Sequence, residues 1–143
     1  MAHDRALQSL AAELAACDGS AIDTARLEEL MAHMEACAVT HDLDGWVAAD
    51  QAIHRHLFQM SGNRWLLKLL LQMESLIGQV RHIALRRPGR LGESTGQHRV
   101  IVDAIKSHDG KAAYQAMYAH LMVTEQNLVE LLELLEPLTG DRL

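Results

Sequence analysis

The sequence predicts an all-α fold, an antiparallel bundle of about six to seven helices. Three observations predict it. Apolar residues make up 49% of the 143-residue chain while aromatics make up only 3%. The apolar set is mostly Leu, Ala and Met, and unbranched side chains lose little freedom in a helix; a β-sandwich or barrel would want more Val, Ile, Tyr and Phe. Apolar residues also recur at helical spacing in six segments separated by short breaks.

The first helix is expected from about His3 to Cys17, with Leu7, Leu10 and Leu14 as its inward stripe and Asp18-Gly19 as its stop. The second runs from about Thr24 to Thr40, with Asp23 as N-cap and Leu27, Leu30, Met31 and Met34 in helical period. The third starts after Asp42 or Asp44 and ends at Met60, where Ser61-Gly62-Asn63 makes a turn. The fourth, about Arg64 to Leu85, is the most apolar and is expected at the centre; Arg86-Arg87-Pro88-Gly89 closes it. The longest connection is expected from Gly89 to about Gly92. The fifth helix then runs from about Glu93 to Ser107, with Val100, Ile101, Ala104 and Ile105 inward. The sixth begins at an Asp109 cap and reaches about Leu135, with Pro137 and Gly140 beyond it. Residues 1–143 have the length of one domain, and facing helices of a bundle can build a site in its interior.

The formal charge is −6, which disfavours direct binding to nucleic acid, since phosphate contacts need clustered Lys and Arg. Cys17 and Cys37 form neither a CxxC nor a disulfide framework, so reduced thiols and a cytoplasmic location are expected. The apolar run Trp65–Leu71 is broken by Lys68 and is too short to span a membrane.

Nine histidines are many for this length. Asp50 and His54 lie one helical turn apart and leave the same face. His98 and His120 sit on later helices beside apolar residues, where a buried imidazole needs a partner. Three imidazoles and a carboxylate suit a divalent ion such as zinc or nickel, although an Asp/His pair at this spacing also arises as an ordinary side-chain interaction. His3, His33, His41, His56, His82 and His108 are expected to face solvent.

At these same residues the chain resembles the FCD class of ligand-sensing C-terminal domains in GntR-type bacterial transcriptional regulators. The resemblance runs from about Ala6 to Leu121. Asp50-Gln51-Ala52-Ile53-His54 is similar to the family's D-x-x-F-H signature, and Leu57 through Leu66 to its L-x-x-x-(S/A)-G-N-x-x-L turn. Gln97-His98-Arg99-Val100-Ile101 with Ala104-Ile105 is similar to E-H-x-x-I-x-x-A-I, and Asp109 through Leu121 to D-x-x-x-A-x-x-x-M-x-x-H-L. Two positions depart from the pattern: Ile53 stands where Phe is usual, and Gln97 where Glu is usual.

The resemblance implies a six- or seven-helix bundle with an internal metal and ligand cavity. It implies a divalent ion held by Asp50, His54, His98 and His120, with zinc expected and nickel or manganese as alternatives. A small organic acid would complete the metal's shell, and Arg81 is the expected carboxylate partner; Arg86 and Arg90 are weaker candidates for that role and are expected rather in a solvent-facing loop. A homodimer is implied too. Operator DNA would be reached only through an N-terminal winged helix-turn-helix, which this chain lacks, so either a part of a longer regulator, the favoured reading, or a stand-alone sensor is expected. The chain is read as not an enzyme, because no general base stands out beside the ligands. A helical-bundle metalloenzyme and a metal-free dimerisation or interaction domain, with the apolar, acidic stretch Leu128–Leu138 as its packing face, are the competing readings.

Overall fold

The computed structural model describes the backbone over residues 2–139 and the side chains of that range except 75–81 and 137–139. Six helices and no strand occur among the described residues: α1 (Ala2–Asp18), α2 (Ala21–Val39), α3 (Leu43–Met60), α4 (Arg64–Ala84), α5 (Arg90–Lys106) and α6 (Gly110–Thr139). Helix α1 packs along α6 and also meets α3, α4 and α5, while α2 packs against α3 and α5 and α4 against α3 and α6. The expected all-α bundle is what forms.

The core gathers Leu27, Met31 and Met34 from α2, Trp46, Ile53, Leu57 and Phe58 from α3, Ile101 and Ile105 from α5, and Met117 from α6. Helix α1 contributes differently from expectation. Leu10 is 40% exposed, and the fully buried face is Ala11, Ala12, Ala15 and Ala16. Small side chains let another helix come close, and the start of α6 shows how close. A Cβ on Gly110 would stand 2.9 Å from Cys17 Sγ and 3.2 Å from Glu13 Cγ, so little more than a hydrogen fits there.

In α5 the buried positions are Arg90, Ser94, His98, Ile101, Val102 and Ile105, one continuous helical stripe. Val100, expected inward, is 59% exposed, because it lies two residues from His98 and so about 200° around the helix. Arg99, on α5, is held by Glu28 and Glu35 of α2, which fixes these two helices in register.

Two turns share one construction. Helix α2 ends with His41 at φ 55° and α5 with His108 at φ 56°, the left-handed position where glycine is usual. In both, the next residue is an aspartate whose N–H bonds back into the finished helix: Asp42 to Cys37 O (2.9 Å) and Asp109 to Ala104 O (3.0 Å). The same aspartates then cap the next helix, through Gly45 N and Ala112 N, each at 3.0 Å. One residue thus stops one helix and starts another. At α2, the cap is Ser20 rather than Asp23. Asp23 occupies N3 and completes a reciprocal capping box.

The connection from α4 to α5 occupies residues 85–89, earlier than expected, and α5 begins at Arg90 rather than near Glu93. Gly89, at φ 79°, stands at the N-cap with no side-chain cap. No Ser, Thr, Asp or Asn marks this helix start, and glycine is there because the backbone turns left-handed. None of the described helices is long and apolar enough to cross a membrane.

Candidate metal centre

Three helices converge on one buried point. Helix α3 brings Asp50 and His54, α5 brings His98, and α6 brings His120; all four side chains are buried. The stripe that buries Ile101 and Ile105 also turns His98 inward, and the turn that buries Met117 and Leu121 does the same for His120. Among the described residues, His54, His98 and His120 offer ring nitrogens that all lie within 4.8 Å of one another. Asp50 closes the group on the side of His54 and His98. Its Oδ1 is 2.8 Å from His98 Nε2 and 3.2 Å from His54 Nε2, and these two nitrogens are 3.2 Å apart.

The hydrogen bonds outside this point decide what it can hold. His98 Nδ1 lies 2.7 Å from the carbonyl of Ser94. A carbonyl only accepts, so Nδ1 carries a proton, and the neutral ring then directs a lone pair from Nε2 toward Asp50 Oδ1. Lone pair and carboxylate at 2.8 Å repel unless positive charge sits between them, supplied by a proton or by a cation. His120 has a similar outer bond, with Nδ1 2.7 Å from Gln97 Oε1. His54 Nδ1 is buried with no hydrogen-bond partner. Metal-bound histidines characteristically give their second N–H to a carboxylate, a backbone carbonyl or water; His98 does so to the Ser94 carbonyl, and His120 uses the amide oxygen of Gln97 instead. The roughly 3 Å spacing of the inner atoms fits donors sharing an ion at bonds near 2.0–2.1 Å.

Burial by itself would raise the Asp50 carboxyl, but the hydrogen bonds of His54 and His98, and their charge whenever the rings are protonated, outweigh it and hold the group well below the usual carboxylate range. Asp50 is therefore ionised, the form that binds cations.

A cavity of about 20 Å³, enough for about one water, adjoins this group and is bounded by Trp46, Asp50, Arg90, Ser94, His120 and Thr124 among others. The Trp46 ring meets His98 edge-on at 5.8 Å, and its Nε1 donates to Thr95 Oγ1 at 2.8 Å.

Arg90, expected in solvent, is only 4% exposed. One terminal nitrogen donates to Thr124 Oγ1 at 3.1 Å. The other, Nη1, lies 3.2 Å from Glu93 Oε2, but the angle is too poor for a hydrogen bond and Nη1 stays unsatisfied. The early start of α5 explains the difference: Arg90 belongs to the helix's first turn, which faces the interior. Arg86 is exposed, as expected, and the Arg81 side chain lies outside the described residues.

Of the six histidines expected in solvent, His3, His33, His41 and His108 are exposed and His56 and His82 are half-buried. His56 Nε2 lies 2.9 Å from the Asp23 carbonyl. The family pattern singles out the quartet and the departure at Gln97, and Arg90 is a weaker candidate in the sequence; Ser94, Thr124 and the pairing of Gln97 with His120 are not legible there, since each acts through a partner on another turn or another helix.

The FCD domain family matches residues 3–122. An uncharacterized HTH-type transcriptional regulator of Escherichia coli K12, YieP, is 34% identical over 116 residues, which are 80% of this chain and 49% of that protein. The chain thus spans about half the length of this curated relative. The E. coli McbR/YncC structure superposes with a TM-score of 0.80 over 90% of this chain and 62% of that one, at 17% identity, and so shares the fold.

Proposed function

The chain belongs to the FCD domain family, and from that premise we propose that it is a metal-dependent sensing domain for a small organic acid within a bacterial transcriptional regulator. The observation that carries this reading is the approach of His98 Nε2 to Asp50 Oδ1 while His98 Nδ1 is committed to Ser94. Asp50, His54, His98 and His120 would hold a divalent ion, zinc being the first expectation and nickel or manganese the alternatives. When bound, the ion supplies Lewis acidity that attracts a carboxylate oxygen.

The chain's own residues favour an anion beside it. The Arg90 guanidinium and a divalent charge exceed what Asp50 and the half-exposed Glu93 balance, so a ligand with negative charge is stabilised there. The unsatisfied Nη1 of Arg90 is a ready donor to a carboxylate, and a charge-assisted bond of that kind is stronger than a neutral one. Thr124 and Ser94 offer further polar contact. Between the described walls there is room for about one water, so a larger ligand would extend beyond them or part them. Those walls include Ala84 and Leu85 at the end of α4 and Arg90 at the start of α5. Ligand binding would thus bias the α4–α5 connection between two arrangements, and regulation follows from its different affinity for each.

Operator DNA would be met by a helix-turn-helix part outside this chain. A homodimer is the proposed assembly, and the exposed Val129, Leu132 and Leu135, which share one face near the end of α6, favour a contact there. Native mass spectrometry of protein purified without chelator or affinity metal tests the reading. One divalent ion per chain, with or without a retained acid, is expected. Protein that stays metal-free after incubation with zinc, nickel and manganese would refute it.

A further inference from the structure

We propose that Gln97 is a positioning residue that presents His120 to the site and, through its uncharged amide, sets how tightly a divalent cation is held; the inference rests on the metal-binding reading above. Gln97 and His98 are neighbours on α5 but leave the helix about 100° apart. His98 turns into the site, and Gln97 reaches across to α6, where its Oε1 lies 2.7 Å from His120 Nδ1.

An imidazole can sit in its slot in two orientations that exchange nitrogen for carbon. The ring contacts around His120, 4.4 Å to His98 and 6.1 Å to His54 between centroids, constrain its plane more than its orientation. A hydrogen bond to one nitrogen distinguishes the two. With Oε1 accepting from Nδ1, Nε2 is left as a lone pair on the opposite side of the ring, available to the group formed by His54 and His98.

The chemistry of the partner sets the strength. A carboxylate accepting this proton would push electron density into the ring and make Nε2 a stronger donor; an amide does so less, and its NH2 can also donate, so it enforces the tautomer less strictly. Among the described residues Asp50 is the carboxylate touching the imidazoles His54 and His98. The Gln97 amide is a weaker acceptor for the His120 N–H than a carboxylate would be, which makes the site weaker and its ion more exchangeable.

The test is the zinc affinity of wild type, Gln97→Leu and Gln97→Glu, measured by competition with a chromophoric chelator, with the visible absorption of the cobalt-loaded proteins as a second readout. Gln97→Leu is expected to lose about 10–100-fold in affinity and to alter the cobalt spectrum, while Gln97→Glu binds at least as tightly as wild type. Gln97→Leu within about twofold of wild type with an unchanged spectrum would overturn the inference. So would equal weakening by both variants, which would mean that Gln97 only fills space. If Gln97→Leu does not fold, weaker binding by Gln97→Glu alone overturns it. Absence of uptake by the wild type would instead overturn the metal reading itself.

Discussion

His108 Nδ1 donates to the carbonyl of Ala16 across 2.9 Å, so a residue in the α5–α6 turn satisfies the end of α1. The matching residue in the α2–α3 turn, His41, has the same left-handed backbone and is exposed. Their substitutions should therefore diverge. His41→Gly relieves a left-handed penalty of roughly 1 kcal/mol and gives back much of it in chain entropy, so it should be neutral or slightly stabilising. His108→Gly also loses the bond to Ala16 and should destabilise by about 1 kcal/mol relative to His41→Gly. Urea denaturation of both variants measures the difference; equal midpoints would show that the His108 bond contributes nothing.

Removing metal should lower the melting temperature. An ion at about 100 times its dissociation constant adds roughly 2.7 kcal/mol, which is roughly 5–10 °C for a domain of this size. Excess chelator should remove that increment from the wild-type protein and from His56→Ala, but not from His98→Ala or His120→Ala. Differential scanning calorimetry with and without chelator reads it directly.

Arg90→Leu should weaken binding of small carboxylic acids without loss of metal. A hydrogen bond to a charged group contributes about 1.5–3 kcal/mol, so calorimetric titration of the zinc-loaded protein with lactate and citrate should show a roughly 10–100-fold drop for whichever acid binds the wild type. Unchanged affinity would remove Arg90 from the acid's contacts and return attention to Arg81.

Acid should unfold the protein partly through two half-buried carboxylates. Asp23 is lowered below 3.8 chiefly by its hydrogen bond to Ser20, and Glu28 below 4.5 chiefly by its hydrogen bond to Arg99. A depressed folded-state value means stability that is present above the ordinary carboxylate range and lost as pH falls through the folded value. The urea midpoint should hold steady near neutrality and fall below about pH 4.5. Ser20→Ala should cost about 1 kcal/mol at neutral pH and flatten the acid limb; a limb as steep as wild type would exclude the Asp23 contribution.

The helices and the Asp50/His54 pair could be read from sequence because both depend on short spacings, and the apolar stripe of α5 carries His98 inward; the grouping of His98 and His120 with that pair comes from the resemblance to the FCD signatures, not from spacing. The errors trace to two assumptions, that larger apolar side chains mark the inward face and that polar caps mark helix starts. Leu10 and Val100 are exposed because Ala11–Ala12 and Ala15–Ala16 suit the close approach of α6, and because His98 takes its place in the α5 stripe. Arg90 was assigned to a loop because Gly89 opens α5 through backbone conformation alone. The pairing of Gln97 with His120 joins two helices, and local pattern carries no information about such contacts.

Trp46 stands edge-on to His98 and borders the cavity beside Asp50, whereas Trp65, the second of the two tryptophans, is 71% exposed. The protein thus contains its own optical probe. A Trp65→Phe variant would leave an emission signal from a single indole at the wall of the site, so that occupancy could be followed by unlabelled fluorescence, and acids screened in solution one after another.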